Sequence, residues 1–447
     1  MTPRPAPPRP LTAHVPGSKS ITTRALLLAA AANGTSTLWA PLVSHDTLAF
    51  GKAVGRLGAR VENSPSDQFW AVTGSGRGPT GTAVVWCADA GTAARFLPPF
   101  CATGEGVFTF DGSEQLRARP LSPLMTAMTE LGAELETPVP GRLPLTVRAA
   151  GLEGGELRVD SSMSSQFLSG LLMAAPLMRH PVRADLRASV SRPYLDMTLD
   201  LMRRFGADVK EPESGVIEVR PGGYRATALV IEPDASTASY LFAAAAATEQ
   251  RITVPGLCGR SIQGDLRFVE ALSTMGAQVE VGDRAVTVTG TGRLRGGFDL
   301  EMGDISDTFM TLAAIAPLAD APLTLGGVRH ARFKESDRVA AVTRNLRACG
   351  VRVDETEDSV TVHPGTPRPA RIACHRDHRI AMAFSVLGLA ARVPMVLDDP
   401  YCVTKTFPGF HQEMARLFPD YTVPERVPFS EPHDVGGHRD TRKAGER

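Results

Sequence analysis

Four short stretches hold most of the residue types that could do chemistry in this chain. "PGSKSITTR" offers Lys19, Ser20 and Arg24, and "DAGTAARF" offers Gly91. "SSQF" offers Ser164, Ser165 and Gln166, and "RDHRIAM" offers Asp377, His378 and Arg379. Each group of small or charged polar residues stands just before a nearly all-apolar run. A helix N-terminus leaves backbone N–H groups unpaired and carries the positive end of the macrodipole, so it favours an anion. Charges packed directly against an apolar helix, as in Asp377-His378-Arg379, are costly unless they are used. The chemistry indicated is the binding of phosphate or carboxylate.

A nucleotide loop is excluded at the first stretch. That loop needs two glycines five apart, with Lys directly after the second and Ser or Thr next. Here Ser18 separates Gly17 from Lys19, and Thr12 stands five before Gly17. An ordinary Ser N-cap with a solvated Lys stays open for this stretch by itself. "RHARFKESDRVAAV" places Lys334, Glu335, Asp337 and Arg338 ahead of an amphipathic helix, where a solvated charged face is the plain alternative. "CVTKTFPGF" carries a lone Lys405, a residue type usually found on the surface. His375 and His378 have no spacing that suits a metal, HExxH is absent, and neither GxSxG nor a dinucleotide fingerprint occurs.

The elements that must position these residues repeat. "RLGARVE", "ELGAELE", "RFGADVK", "TMGAQVE" and "ACGVRVD" set Gly58, Gly132, Gly206, Gly276 and Gly350 at intervals of 74, 74, 70 and 74 residues, with a degenerate copy, "RLFPDYT", at Arg416. Each phrase ends an amphipathic segment and begins an alternating one, predicting a helix closed by Gly and followed by a strand. The apolar runs recur in step. Taking Lys19, Gly91, Ser164, Ser236, Ser306 and His378 as markers, the intervals are 72, 73, 72, 70 and 72. A helix apolar all round is buried, so the pattern predicts six α/β units, each with a core helix and an amphipathic outer helix. If two groups of three units face each other, the polar helix ends converge on one cleft that concentrates a polyanionic small molecule.

Composition bounds the rest. A chain of 447 residues is long enough for two or three domains. Equal numbers of basic and acidic residues, 48 of each, leave no bulk charge to recommend nucleic acid or a membrane surface as partner. Six scattered cysteines without a CxxC pair fit a reducing cytosol. Runs such as "LFAAAAA" are far too short to span a membrane. "MTPRPAPPRP" lacks the apolar segment of a signal peptide and reads as an extended lead. Residues 425–447, without apolar periodicity, read as a disordered tail.

The ordered motifs "PGSKSITTRALLLAA", "DAGTAARF", "SSQFLSGLLMA", "SRPYLDMTL", "DASTASY", "KESDR", "DHRIAMAF" and "DPYCVTKTFPGF" closely resemble the enolpyruvyl transferases, from about residue 10 to about residue 420. Within that family they resemble the branch acting on shikimate 3-phosphate. The branch acting on UDP-N-acetylglucosamine usually has Lys-Asn at Lys19-Ser20 and a catalytic Cys near Arg119, whereas no Cys lies here between Cys101 and Cys258. The resemblance implies two domains of three βαβαββ units each around an interdomain cleft, mapped as 1–17 plus 235–424 and 18–234. It implies a cytoplasmic monomer that moves the enolpyruvyl group of phosphoenolpyruvate (PEP) to the 5-hydroxyl of shikimate 3-phosphate by addition and elimination, without metal or cofactor.

Site roles follow from the same resemblance. Lys19, Ser20, Arg24, Ser164, Ser165, Gln166, Ser191, Tyr194, Asp307, His330 and Lys334 match the shikimate 3-phosphate site. Lys19, Gly91, Arg119, Gln166, Arg338, His378, Arg379 and Lys405 match the PEP site. Asp307 matches the proton acceptor and Glu335 the carboxyl near the PEP methylene, with Lys19 sharing proton transfer. Several positions depart from the family pattern: Asp89 where Asn or Leu is common, His330 for Asn, Ser122 for Gly, and His45 within Ser44-His45-Asp46. They leave open a diverged paralogue with a related cyclic acceptor, and a binding protein that has lost turnover.

Overall fold

The computed structural model describes residues 10–64, 68–160, 162–186 and 191–424. The lead 1–9 and the tail 425–447 lie outside the described residues, so the expectations for them stand outside this account. No helix among the described residues is long and apolar enough to cross a membrane.

One unit shows the construction. Strand Thr80–Trp86 runs into the buried helix Gly91–Ala102, and strand Glu105–Asp111 returns parallel to the first. The outer helix Ser122–Glu130 follows, then strand Glu134–Glu136 pairs antiparallel with Leu145–Ala150, which pairs antiparallel with Glu105–Asp111. This β-α-β-α-β-β order recurs with sheets of four or five strands in five units. The sixth differs: Ala370–Ile372 and Met395–Leu397 form a two-stranded sheet, and no strand follows helix Phe410–Leu417 among the described residues. The degenerate sixth copy of the glycine phrase accounts for this, because Phe418 stands where the other copies have Gly. In those five copies Gly58, Gly132, Gly206, Gly276 and Gly350 take φ between 79° and 101°, the left-handed turn that glycine makes at no steric cost.

The inner helices are buried on every side, as an apolar circumference requires. Lys19–Ala31 is buried from Ile21 onward and Ala235–Ala247 over nearly its whole length. Helix Gly91–Ala102 carries Pro98 and Pro99 in its interior. Pro99 has no N–H to offer the Arg95 carbonyl, and the Ser165–Ala174 helix lays Gly170 against that oxygen, where a Cβ would collide.

Two separate hydrophobic cores result. One draws on residues from Ile21 to Ile231, the other on Ala13 together with residues from Ala235 to Phe418. Each half closes its first sheet with strands remote in sequence: Leu11–Thr12 pairs with Arg251–Pro255, and Tyr224–Arg225 and Ala228–Val230 pair with Ala32–Trp39. The two crossing segments are bonded to each other. Ser18 N–H donates to the Glu232 carbonyl at 2.8 Å and Asp234 N–H to the Pro16 carbonyl at 2.9 Å. Lys19 therefore begins its helix at the seam itself.

Candidate active site

Inner helices from both halves open their N-termini onto one cavity between the two cores. Lys19, Ser20, Arg24, Gly91, Arg119, Ser165, Gln166 and Tyr194 line it from one side, and Asp307, Lys334, Glu335 and Arg379 from the other. It encloses only about 40 Å³, far below the roughly 300 Å³ at which ligand pockets begin. The halves therefore stand closed on each other, and a ligand of ordinary size requires them to part. Larger cavities of about 960 and 660 Å³ lie elsewhere between the halves.

Local sequence explains the placement. Ser18 caps its helix by accepting from Ile21 N–H at 3.4 Å, leaving Lys19 to bond through its own N–H to Asp234 Oδ2 at 2.9 Å. Lys19 Nζ lies 3.6 Å from Asp46 Oδ2. Arg24 points inward from the same helix, donating to Thr198 Oγ1 at 2.8 Å and lying over the Phe96 ring. Burial lowers its pKa to about 10, so it remains charged. Ser164 caps the next helix end, accepting from Gln166 N–H at 3.3 Å. Ser191, at φ 57°, opens helix Arg192–Arg204 from the left-handed region, and its hydroxyl donates to the Gly303 carbonyl of the other half at 3.0 Å. Gly91 is pressed between guanidiniums: a Cβ there would lie 2.5 Å from Arg95 Nη1 and 2.6 Å from Arg119 Nη1.

The opposite wall is a network of charges. Asp307 accepts from Arg379 at 2.6 Å and from Arg338 at 3.0 Å, with Lys334 Nζ at 3.7 Å. Arg338, 1% exposed, also bonds Glu335 at 2.7 Å and Asp377 at 2.8 Å. Burial would raise the Asp307 carboxyl, but Arg379, Lys334 and Arg338 together hold it well below the usual range. Burial likewise works on Glu335 and is overcome by Arg338, Arg119, Lys405 and Lys19. Both carboxyls are ionised as they stand. The KESDR segment is thus no solvated face, and Lys405 is no surface lysine: it is 8% exposed and donates to the Asp89 carbonyl at 3.2 Å.

Other positions sit behind the cavity surface. His330 is bonded to Ser306 Oγ at 2.7 Å, and burial, with Lys334 beside it, lowers its pKa to about 4. His378 is sealed completely, and neither ring nitrogen has a hydrogen-bond partner. The Asp89 carboxylate turns away from the cavity to Ser113 and to Arg376 at 3.1 Å, the latter from the other half. Sequence reasoning missed Asp46, Arg95 and Asp265. Arg95 carried a signal, a charge inside an apolar helix, as Arg379 did. It is 2% exposed, bonds Gln166 Oε1 at 3.1 Å and leaves Nε without a partner. Nothing in the local pattern marked Asp46 or Asp265.

Paired cores of repeated α/β units closing over one such cavity are the architecture of the enolpyruvyl transferases. An EPSP synthase from Acinetobacter baumannii matches with a TM-score of 0.76 at 24% identity, over 92% of this chain and 97% of that one. The enolpyruvyl transferase NikO from Streptomyces tendae matches with a TM-score of 0.73 at 18% identity, over 92% and 95%. At those identities the likeness concerns the fold alone. The family model for EPSP synthase (3-phosphoshikimate 1-carboxyvinyltransferase) matches residues 7–414, and the chain belongs to that family. The 3-phosphoshikimate 1-carboxyvinyltransferase of Trichormus variabilis is 40% identical over 411 residues, 91% of this chain and 96% of that protein. That of Methanoculleus marisnigri is 41% identical over 404 residues, 89% and 94%.

Proposed function

We propose that this protein transfers the enolpyruvyl group of PEP to the 5-hydroxyl of shikimate 3-phosphate and releases phosphate. The observation that carries the reading is one closed cavity in which Lys19, Arg24, Arg119, Lys334 and Arg379 surround three carboxylates, Asp46, Asp307 and Glu335. Two polyanions explain the cations, and binding alone would not need the carboxylates. We take 18–234 and 1–17 plus 235–424 as the two domains that close over them, within a cytoplasmic monomer. Free cysteines suit that compartment.

On this reading the Ser164, Ser165 and Ser191 hydroxyls, with Lys19 and Arg24, hold the acceptor's phosphate. Gln166, Tyr194, His330 and Lys334 complete that side. Arg119, Arg338, Arg379 and Lys405 take the PEP carboxylate and phosphate, since planar guanidiniums bind such oxygens in pairs. Gly91 leaves room for PEP, and buried His378 supports the Arg379 helix end.

Charge exchange then gates the chemistry. Before PEP binds, the cations are occupied by Asp307 and Glu335, which holds both carboxyls too acidic to work. PEP draws those cations to its own oxygens, and both carboxyl pKa values rise. Asp307, as carboxylate, can then accept the 5-hydroxyl proton, while Glu335, having taken up a proton as its pKa rises and assisted by Lys19, delivers it to the methylene carbon. In the elimination the Glu335 carboxylate takes a proton back from the methyl group as phosphate leaves. Closure excludes water and holds the reacting atoms together.

The test is phosphate release measured with PEP plus shikimate 3-phosphate, beside PEP plus unphosphorylated shikimate. Release is expected only with the phosphorylated acceptor, and its absence there defeats the reading.

A further inference from the structure

Asp265 is a buried carboxyl for which the steps above have no use. It sits in the turn Gly264–Arg267 and is 3% exposed. Its Oδ2 accepts from Tyr194 Oη at 3.0 Å and from the Ser236 hydroxyl, while Oδ1 has no partner. The same Tyr194 Oη lies 3.4 Å from Asp307 Oδ2. One phenol thus spans two carboxyls: Asp307, which faces the cavity, and Asp265, which does not.

We infer that Asp265 receives, through Tyr194, the proton that Asp307 takes from the acceptor hydroxyl. This rests on the functional reading above. The step balances without any further reactant. Protonated Asp307 donates to the Tyr194 oxygen as the Tyr194 proton moves to Asp265, leaving Asp307 as carboxylate, Tyr194 neutral and Asp265 as carboxylic acid. Asp265 touches neither substrate and acts as a positioning residue through Tyr194.

The surroundings of the two carboxyls set the direction. Asp307 faces Arg379, Lys334 and Arg338 and is held well below the usual carboxylate range. Asp265 faces Asp307, Tyr194 from helix Arg192–Arg204, Arg379 from helix His378–Ala391 and Ser236 from helix Ala235–Ala247. On its own turn, Arg267 points outward to Asp304 at 3.2 Å. Burial first, and the charge of Asp307 second, push Asp265 up to about 6, against the opposing effects of Arg379, Ser236 and Tyr194. Before the exchange with PEP a proton on Asp307 therefore lies lower in free energy on Asp265, and the relay draws on the part of that difference that survives the exchange. A base crowded by cations is weak alone, and a second, more deeply buried carboxyl takes over its load. Tyr194 cannot itself hold the charge, because burial and the two carboxylates raise its pKa well above the ordinary phenol value.

Catalysis then requires ionised Asp265, so kcat should fall as pH drops through about 6. The test compares kcat–pH profiles, at saturating substrates, of the wild-type enzyme, Asp265→Asn and Ser236→Ala. Asp265→Asn keeps an acceptor for Tyr194 but cannot take a proton. It should lose the acid limb and about tenfold or more of kcat at neutral pH, with KM little changed. Ser236→Ala removes a hydrogen bond that favours the carboxylate, so its acid limb should move to higher pH. The inference is overturned by a limb that persists in Asp265→Asn, by a rise in KM with kcat intact, or by a limb that stays put in Ser236→Ala. If wild-type enzyme releases no phosphate at any pH, the functional reading fails instead.

Discussion

The two walls of the cavity are built on one repeated unit yet differ in character. The wall from residues 18–234 presents hydroxyls and helix-end N–H groups, with Arg24 and Arg95 lying over Phe96 and Phe167 and bonded to neutral partners. The wall from residues 235–424 presents carboxylates and cations already paired with each other through Asp307, Glu335, Asp377, Arg338 and Arg379. The first gives up fewer ion pairs to receive anions, Lys19 with Asp46 and Arg119 with Glu335. The second must exchange its internal pairs for ligand contacts, and that exchange is what changes carboxyl acidity. The same supersecondary unit carries mostly hydroxyls and helix-end N–H groups on one side and the Asp307 and Glu335 network on the other.

Breaking the second wall should have the largest effect. Asp307→Asn removes the candidate base and should lower kcat by about 10²–10⁴ with shikimate 3-phosphate still bound. A kcat within tenfold of wild type, alongside a large rise in the acceptor's Kd, would instead place Asp307 with the holding wall.

Next in size is an effect on stability. The folded protein protonates His330 only near pH 4, whereas the unfolded chain does so near 6.5. The unfolded state therefore binds more protons between those values, and stability falls as pH drops through that window. Between pH 7 and pH 5 this group should cost on the order of 2 kcal/mol. His330→Asn, never charged, should lack that share of the loss. Urea midpoints at the two pH values check this, and equal pH dependence in both proteins would contradict it.

A smaller effect should separate holding PEP from holding its partner. The Gly91→Ala methyl would meet the ends of two flexible side chains, Arg95 and Arg119, so the fold should survive. KM for PEP should rise by roughly tenfold, well beyond the change for shikimate 3-phosphate. Equal changes for both substrates would place Gly91 on shared ground.

The smallest effect belongs to the contact between the walls at Asp89 and Arg376, whose side chains are 31% and 61% exposed. Exposed pairs contribute about 0–1 kcal/mol. Asp89→Asn should therefore change KM for PEP by less than about fivefold. A loss of tenfold or more would make this pair a structural requirement for closure.

Much of the fold was legible in the chain, and for a physical reason. Apolar runs without a polar face can only be core helices, and glycines at a fixed interval after amphipathic runs can only be helix ends. Both signals are local. The two-stranded sixth sheet was less legible, since only Phe418 in place of a glycine hinted at it. Among the chemical groups, Arg379 announced itself as a charge against an apolar helix. Arg95 gave the same sign less conspicuously, one turn inside its helix. Asp46 and Asp265 gave none, because each matters through a partner far away in sequence, Lys19 for one and Tyr194 for the other.

The sequence by itself determined the six units, the polar helix starts and the family motifs, since these depend on the order of residues along short segments. Tertiary structure alone decided which charges meet. It turned the Asp89 carboxylate away from the cavity, locked Arg338 among three carboxylates, and set Tyr194 between Asp265 and Asp307. Those outcomes depend on distances between segments tens to hundreds of residues apart, and on burial that strengthens every charge it encloses.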